Sequence, residues 1–370
     1  MKRLNERPAS IYSRGGWLRG HVLADAGIIA GIDGVSLVGT PAPPYIVPGF
    51  VDLHVHGGNG ADIMNGADDI RATAAFHAQH GTAAICATTL TAPTEQIADV
   101  LDAIGSVEKR PRRGEAEVVG AHVEGPFVNP EKLGGQPPYA TLPTIELVED
   151  WARRCSIRIV TMAPELDGAE KVIRHLSARG VRVQVGHSLA DAETLDAAAA
   201  WGVAGFSHLF NAVDGMTSRS PGVSGWALSR AEWAELICDL KHVHPDMIRV
   251  AVRSIPRPYF VTDCCAAGGQ PDGRYMLGLN AVEKRGQIVS LEGTDKLAAS
   301  VLTGAEAFRN LVGIGLTIET AVAMTAVRPA EYLSLSAFGD IAGGKTASVV
   351  EFNEDLDLVS VWIRGERVEA

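Results

Sequence analysis

The sequence predicts an α/β protein: a distorted (β/α)8, TIM-like barrel carrying a small β-sandwich domain formed by both termini. Three observations predict it. Eight short, β-rich apolar runs recur around residues 50–55, 83–88, 118–123, 157–162, 181–186, 203–207, 235–238 and 258–262. Stretches of helical length lie between them, at 67–80, 93–105, 144–154, 168–179, 190–201 and 245–254. Both chain ends carry short strand patterns with no helical period. Strands alternating with helices imply βαβ units and a parallel sheet. Eight such strands in about 290 residues fit a closed barrel better than an open sheet.

The elements follow in order. Residues 9–47 hold short strands at Ile11-Tyr12-Ser13, Gly16-Trp17-Leu18 and Ile28-Ile29-Ala30, split by Gly and Pro. Pro93-Thr94-Glu95 and Pro143-Thr144 open helices, and Arg179-Gly180 closes one, because Pro suits a first helical turn and Gly a helix end. Residues 346–370 alternate again, in Ala347–Phe352 and Val359–Arg364. Neither end has enough strands for a stable sheet alone, so the two should pair. The expected division is 1–47 plus 338–370 as the small β-domain and 48–337 as the barrel.

Composition narrows the function. The 370 residues are 46% hydrophobic and 21% charged, enough apolar material for a sizeable core. Net charge is −11, from 33 basic and 44 acidic residues, which argues against a nucleic-acid partner. No apolar run reaches membrane-spanning length, and the start, Met1 to Arg7, lacks the apolar segment of a signal peptide. Five cysteines without CxxC spacing argue against a disulfide framework or a zinc finger. A soluble cytoplasmic protein is expected, with no membrane partner. Gly57-Gly58-Asn59-Gly60 lacks the Lys-Ser/Thr of a phosphate loop, and Lys109-Arg110-Pro111-Arg112-Arg113 reads as a solvated helix end.

The chemistry sits where the apolar runs stop. The first ends Val51-Asp52-Leu53-His54-Val55-His56-Gly57, and residues two apart on a strand face the same way. His54 and His56 therefore form either a metal half-site or two structural histidines bonded to backbone. Glu124 closes the third run, where a buried carboxylate needs a metal or an Arg as partner. His187 follows the fifth, His208 the sixth and Asp263 the eighth. Barrel enzymes gather their catalytic residues at the C-terminal ends of several strands. Neutral imidazoles with one carboxylate suit Zn²⁺ or Fe²⁺ better than Mg²⁺ or Ca²⁺. With a carboxylate placed to move protons, the pattern means metal-assisted hydrolysis.

Gly49-Phe50-Val51-Asp52-Leu53-His54-Val55-His56-Gly57 resembles the first-strand signature of the amidohydrolase superfamily. Within it, His122-Val123-Glu124-Gly125-Pro126-Phe127, Gly186-His187-Ser188, Ser207-His208-Leu209-Phe210-Asn211-Ala212 and Val261-Thr262-Asp263 resemble the N-acetylglucosamine-6-phosphate deacetylase family, in matching order from about residue 45 to 350. The resemblance implies a metal-bearing barrel with a small β-domain from both termini. It implies hydrolysis of the acetamido group of an N-acetylhexosamine 6-phosphate, and one or two divalent ions per subunit. Glu124, His187 and His208 would bind the primary metal, His54 and His56 a second, and Asp263 would be the acid/base. The fourth run has no lysine for a bridging carbamate, which leaves that ligand role to Glu124. Asn211, Ala212, Gly135, Gln136, His242 and the loop Leu297-Ala298-Ala299 match substrate positions. Arg219 matches an arginine that binds the 6-phosphate from the neighbouring subunit of a homodimer.

Three departures accompany the resemblance. Gly134-Gly135-Gln136 stands where the family usually has Gly-Ala-His, Leu240 where it has Gly, and Cys264-Cys265 where Ala-Thr or Ala-Met is commoner. Adjacent thiols either ligate metal or pack behind the base. The competing functions are an amidohydrolase acting on another N-acyl sugar or a cyclic amide, and a non-catalytic sugar-binding relative. The last would be expected to lack the ligands or the acid/base, and all are present.

Overall fold

A computed structural model describes residues 1–369. Its centre is a curled, half-barrel parallel sheet of six strands: β1 (Phe50–Val55), β2 (Thr82–Thr88), β3 (Glu117–Glu124), β4 (Ile157–Met162), β5 (Arg182–Val185) and β6 (Val203–Phe206), in spatial order β6-β5-β4-β3-β2-β1. Strands β7 (Trp233–Ile237) and β8 (Arg257–Val261) pair in parallel beside it. Every one falls on a predicted apolar run to within two residues. Such strands bury both faces and so read as continuous apolar sequence.

Helices α1 (Ala67–Gln79), α2 (Thr94–Glu108), α3 (Ile145–Ala152), α4 (Ala169–Ser177) and α5 (Ala192–Trp201) follow β1 to β5, with Glu117–Glu124 and its helix separated by the loop that carries residues 125–144. Their ends are fixed locally. The Thr144 hydroxyl caps α3 by accepting from the Leu147 N–H, and Asp191 caps α5 through Thr194. Gly202, at φ 114°, closes α5 in the left-handed region. After β6 comes α6 (Gly222–Arg230), which the sequence reading omitted. Its Gly- and Ser-rich sequence has poor helix propensity, and burial of Val223, Trp226 and Ala227 overrides that. Helix α7 (Pro245–Ser254) links β7 and β8.

A four-stranded antiparallel sheet, also absent from the sequence reading, follows β8: Gly273–Leu277, Asn280–Arg285, Ile288–Leu291 and Leu297–Ala299. Two-residue turns beginning with Gly278 (φ 55°) and Gly286 (φ 59°) join its first three strands. Helix α8 (Gly304–Gly313) then starts at a capping box of Thr303 and Glu306. The stretch 318–332 is helical as well.

Both chain ends meet in one eight-stranded sheet. Five strands come from the N-terminal side (Lys2–Arg3, Ala9–Ser13, Gly16–Asp25, Ile28–Ser36, Tyr45–Pro48) and three from the C-terminal side (Val349–Phe352, Leu358–Ile363, Glu366–Val368). The join is antiparallel, with Pro48 opposite Val349 and Tyr45 opposite Phe352. Leu4, Ile11, Val22, Ile29, Ile46, Ile341, Val349 and Trp362 form a core of its own on this sheet. Phe352 reaches the other way, stacking on Phe308 at 4.8 Å between ring centres.

Candidate metal centre and active site

Six of the residues singled out above converge at the C-terminal ends of the parallel strands. His54 is the penultimate residue of β1 with His56 just beyond its end, Glu124 ends β3, and His187, His208 and Asp263 follow β5, β6 and β8. All six are buried. His187, His208 and Asp263 have φ of 50°, 27° and 52°. Non-glycine residues cost about 1–3 kcal/mol each in that region, a strain characteristic of functional positions.

Glu124 lies between two histidine pairs. Its Oε1 is 3.0 Å from His187 Nε2 and 2.7 Å from His208 Nε2. Its Oε2 is 3.3 Å from His54 Nε2 and 3.2 Å from His56 Nε2. Asp263 Oδ1 stands 3.2 Å from His56 Nε2 and 3.7 Å from His54 Nε2. The far nitrogens decide what these contacts are. His187 Nδ1 faces the Lys132 carbonyl at 2.8 Å and His56 Nδ1 the Thr88 carbonyl at 3.2 Å. A carbonyl only accepts, so both rings donate from Nδ1. In their neutral forms their Nε2 lone pairs therefore point at carboxylate oxygens, which are acceptors too.

Such a buried cluster of donor-less atoms calls for positive charge in its midst, as protons or as metal ions. In the metal-free chain the charge is protonic. Burial alone would depress His56, yet its hydrogen bonds to Asp263 and Glu124 and their charges push it up to about 9. For Glu124, burial opposes ionisation, but His54, His187 and His208 hold it well below the usual carboxylate range. The donor set is the one expected for a borderline cation such as Zn²⁺ or Fe²⁺, and the triads His54–His56–Asp263 and His54–Glu124–His208 each bring three ligand atoms within 4.8 Å of one another. The residues fit a metal.

Above the cluster opens a cavity of about 500 Å³. Gly135, His187, His208, Asn211, Ala212, His242, Asp263, Leu297 and Ala298 line it, all of them named from the sequence. Gly135 packs so closely that a Cβ there would lie 2.4 Å from the Ala298 carbonyl oxygen. Asp239 accepts from His242 Nδ1 at 2.7 Å, in a turn where Leu240 takes φ 62°. Two depressions of about 740 Å³ border the terminal sheet and hold no comparable ligand set.

Three named residues lie elsewhere. Gln136 turns inward, donating from Nε2 to Glu124 Oε2 at 2.6 Å and accepting from the Thr91 N–H at 2.6 Å. Ala299 is buried behind the wall, and Arg219 sits on the exposed stretch 215–221, outside the lining. Cys264 and Cys265 are fully buried, burial raises both thiols, that of Cys265 to about 12, and neither belongs to the grouped ligand atoms of the cluster.

Sequence reasoning missed Glu131, Lys132 and Lys296 on the cavity wall, and Glu235 beneath the cluster. Lys132 is tied to Asp214 at 2.7 Å. Glu235 did leave a signal: it is an acid inside the apolar run Trp233–Ile237.

A strained-loop cluster of imidazoles and carboxylates on parallel strand ends defines a hydrolase of the amidohydrolase kind, and the amidohydrolase family model matches residues 45–368. The chain is 35% identical over 370 residues to N-acetylgalactosamine-6-phosphate deacetylase from Escherichia coli O157:H7, covering 97% of this chain and 98% of that one. It is 36% identical over 338 residues to N-acetylglucosamine-6-phosphate deacetylase from Vibrio furnissii, covering 88% and 83%. Among solved structures it is similar to a mutant N-acetyl-D-glucosamine-6-phosphate deacetylase from Mycobacterium smegmatis in complex with N-acetyl-D-glucosamine-6-phosphate, with TM-score 0.88, 28% identity and 98% of both chains covered. The Thermotoga maritima N-acetylglucosamine-6-phosphate deacetylase gives 0.87 and 27%, over 98% and 99%. The chain belongs to the amidohydrolase family and, within it, to the N-acetylglucosamine-6-phosphate deacetylase family.

Proposed function

We propose that this protein is a metal-dependent hydrolase that removes the acetyl group of an N-acetylhexosamine 6-phosphate, releasing acetate and the amino sugar phosphate. The observation that carries the reading is Glu124 set between two histidine pairs, with Asp263 beside them on the floor of the cavity. N-Acetylglucosamine 6-phosphate is the first substrate to test. Its galacto epimer is favoured by a separate observation: the E. coli N-acetylgalactosamine-6-phosphate deacetylase aligns along nearly the whole of both chains.

His187 and His208 would hold one cation with Glu124 Oε1, and His54 and His56 a second with Glu124 Oε2, Zn²⁺ or Fe²⁺ in either place. A cation held there would polarise the amide carbonyl and would bring the pKa of water down to about 7. Asp263 takes a proton from the attacking water and gives it to the departing nitrogen. His242, its Nδ1 held by Asp239, keeps Nε2 free for the acetamido group. Asn211, Ala212 and the wall from Gly135 to Leu297–Ala298 would seat the sugar, while Gln136 steadies Glu124. Arg219 would bind the 6-phosphate across a homodimer interface.

The same reading extends to architecture. Strands β7 and β8 would close the barrel. The Leu209 N–H donates to the Glu235 carbonyl and the Asp263 N–H to the His54 carbonyl, both at 2.9 Å, while the Thr262 hydroxyl bonds Asp52 Oδ2. The terminal sheet, with its own apolar core, would be the small sandwich domain of 1–47 and 338–370, set against a hydrolase barrel of 48–337. No helix among the described residues is long and apolar enough to cross a membrane. All five cysteines are free thiols, which supports a reducing compartment, the cytoplasm.

The test is acetate release from a panel of N-acetylated gluco and galacto sugars, with and without the 6-phosphate, before and after exhaustive chelation. Activity should require the phosphate, vanish with the metal and return with Zn²⁺ or Fe²⁺. Full turnover by protein shown metal-free by elemental analysis would refute the mechanism.

A further inference from the structure

We infer that Glu235 is a positioning residue that acts through His54, setting how tightly the His54–His56–Asp263 end of the centre holds a cation. The inference rests on the metal-binding reading above and adds a residue to it.

Glu235 lies inside β7 and is fully buried. Its Oε2 is 2.9 Å from His54 Nδ1 and 3.2 Å from the His208 backbone N–H. Its Oε1 is 3.3 Å from the Tyr259 hydroxyl. A carboxylate only accepts, so each of these groups donates to it. The Nδ1 of His54 therefore carries a proton, and a singly protonated ring has its lone pair on Nε2. That atom stands 3.2 Å from His56 Nε2 and 3.3 Å from Glu124 Oε2, inside the cluster.

The other three histidines are backed differently. His56 and His187 donate to the neutral carbonyls of Thr88 and Lys132, and His208 Nδ1 has no hydrogen-bond partner. Only His54 has a negative charge behind it. A carboxylate in that place raises the basicity of a ligating imidazole and locks the ring plane, and losing such a partner typically costs 10–100-fold in metal affinity.

A purely structural role fits less well. A buried carboxylate is expensive unless positive charge opposes it. Of the groups hydrogen-bonded to Glu235 among the described residues, the His54 ring is the one that can carry such a charge; His208 meets it through its backbone N–H and Tyr259 through a hydroxyl. A neutral side chain would serve the strand equally, since Ala234, Leu236 and Ile237 around it are buried and apolar.

The experiment titrates metal-free protein with Zn²⁺ alone against a chromophoric chelator, comparing wild type, Glu235→Gln, His54→Asn and Tyr259→Phe. The binding event that His54→Asn removes should weaken 10–100-fold in Glu235→Gln, with any other event within threefold of wild type. Tyr259→Phe leaves the His54 contact in place and should bind as wild type does. Equal weakening of every event, or none, overturns the inference while metal dependence stands. So does a wild type whose zinc binding ignores His54→Asn. A wild type that takes up no zinc overturns the reading of the centre itself.

A second readout needs no variant to fold. In zinc-loaded wild type with ¹⁵N-labelled histidine, His54 should carry its proton on Nδ1, with that proton far downfield. A bare Nδ1 overturns the inference.

Discussion

Exchanging Asp263 for Asn alters one atom and removes both the charge and the ability to take a proton. The variant should fold and retain metal, because Glu124 and the four histidines remain, but kcat should fall by about 10²–10⁴-fold, the usual worth of a positioned acid/base. A kcat within tenfold of wild type would take Asp263 out of the mechanism. His77 offers a test of another kind. It is buried on α1, where Nε2 donates to the Gly57 carbonyl at 2.9 Å, and burial lowers its pKa to about 4. The unfolded chain takes up the proton near pH 6.5 and the folded chain only near 4, so protonation favours unfolding and stability is lost as pH falls through that window. The loss between pH 7 and 4.5 should exceed that of His77→Gln by about 2–3 kcal/mol, at 1.36 kcal/mol per pKa unit. Urea unfolding of both proteins at the two pH values measures it, and equal losses would refute the assignment. Glu124, the four histidines and Asp263 could be read from the sequence because each interrupts or follows an apolar run. Lys132 could not, and Gln136, named as a substrate position, turned out to bond Glu124: what they touch depends on how the loop of residues 125–144 folds back over β3 and β5.

The parallel strands were readable for the same reason they are stable, since burial on both faces leaves no polar alternation to confuse with a loop. The four-stranded sheet after β8 lacks that advantage. Met276, Leu279 and Ile288 are exposed on it, and its strands mix charged and apolar residues without a clean period. Its turn glycines, Gly278 and Gly286, were the available signal. The sheet matters to the site, because Asn280 Nδ2 donates to the Gly135 carbonyl at 2.9 Å and Leu297 and Ala298 form cavity wall. The terminal strands allow a direct test. Ending the chain at Gly344 removes six large buried apolar side chains, Val349, Val350, Phe352, Val361, Trp362 and Ile363, worth on the order of 10 kcal/mol of apolar burial. A typical domain has about 5–15 kcal/mol in total. The truncated chain should be insoluble or melt without cooperativity, and a soluble, cooperatively melting, active product would show the two parts to be independent.

Considered entire, the molecule carries a net charge of −11 while its proposed substrate is an anion, so cations must be concentrated at the cavity. Lys132 and Lys296 lie on the wall, one already bound to Asp214. Arg219, exposed and outside the lining, is proposed to act from a second chain. Arg219→Ala should raise KM for the 6-phosphate by about 30-fold or more, corresponding to about 2 kcal/mol or more for truncating one member of a charge pair, with little change in kcat because the phosphate is remote from the reacting bond. Co-expression with Asp263→Asn discriminates further. In a randomly mixed dimer one site regains both groups, so, assayed at substrate well below the wild-type KM where Arg219→Ala sites contribute little, about a quarter of wild-type activity should return if Arg219 is supplied across a two-fold interface. No recovery would mean that each chain uses its own arginine or none.

The join between Tyr45–Pro48 and Val349–Phe352 also has a meaning in time. A ribosome adds about 5–20 residues per second, so the strand at Tyr45–Pro48 waits roughly 15–60 s before its partner is made. Throughout that interval its open edge, with Ile46 and Val47 beside it, has no intramolecular partner on that side and is a template for pairing with other chains. The strand Val349–Phe352 thus acts as a cap made long after the edge it covers, and termination between the barrel and that strand would leave a nascent chain with this edge unpaired.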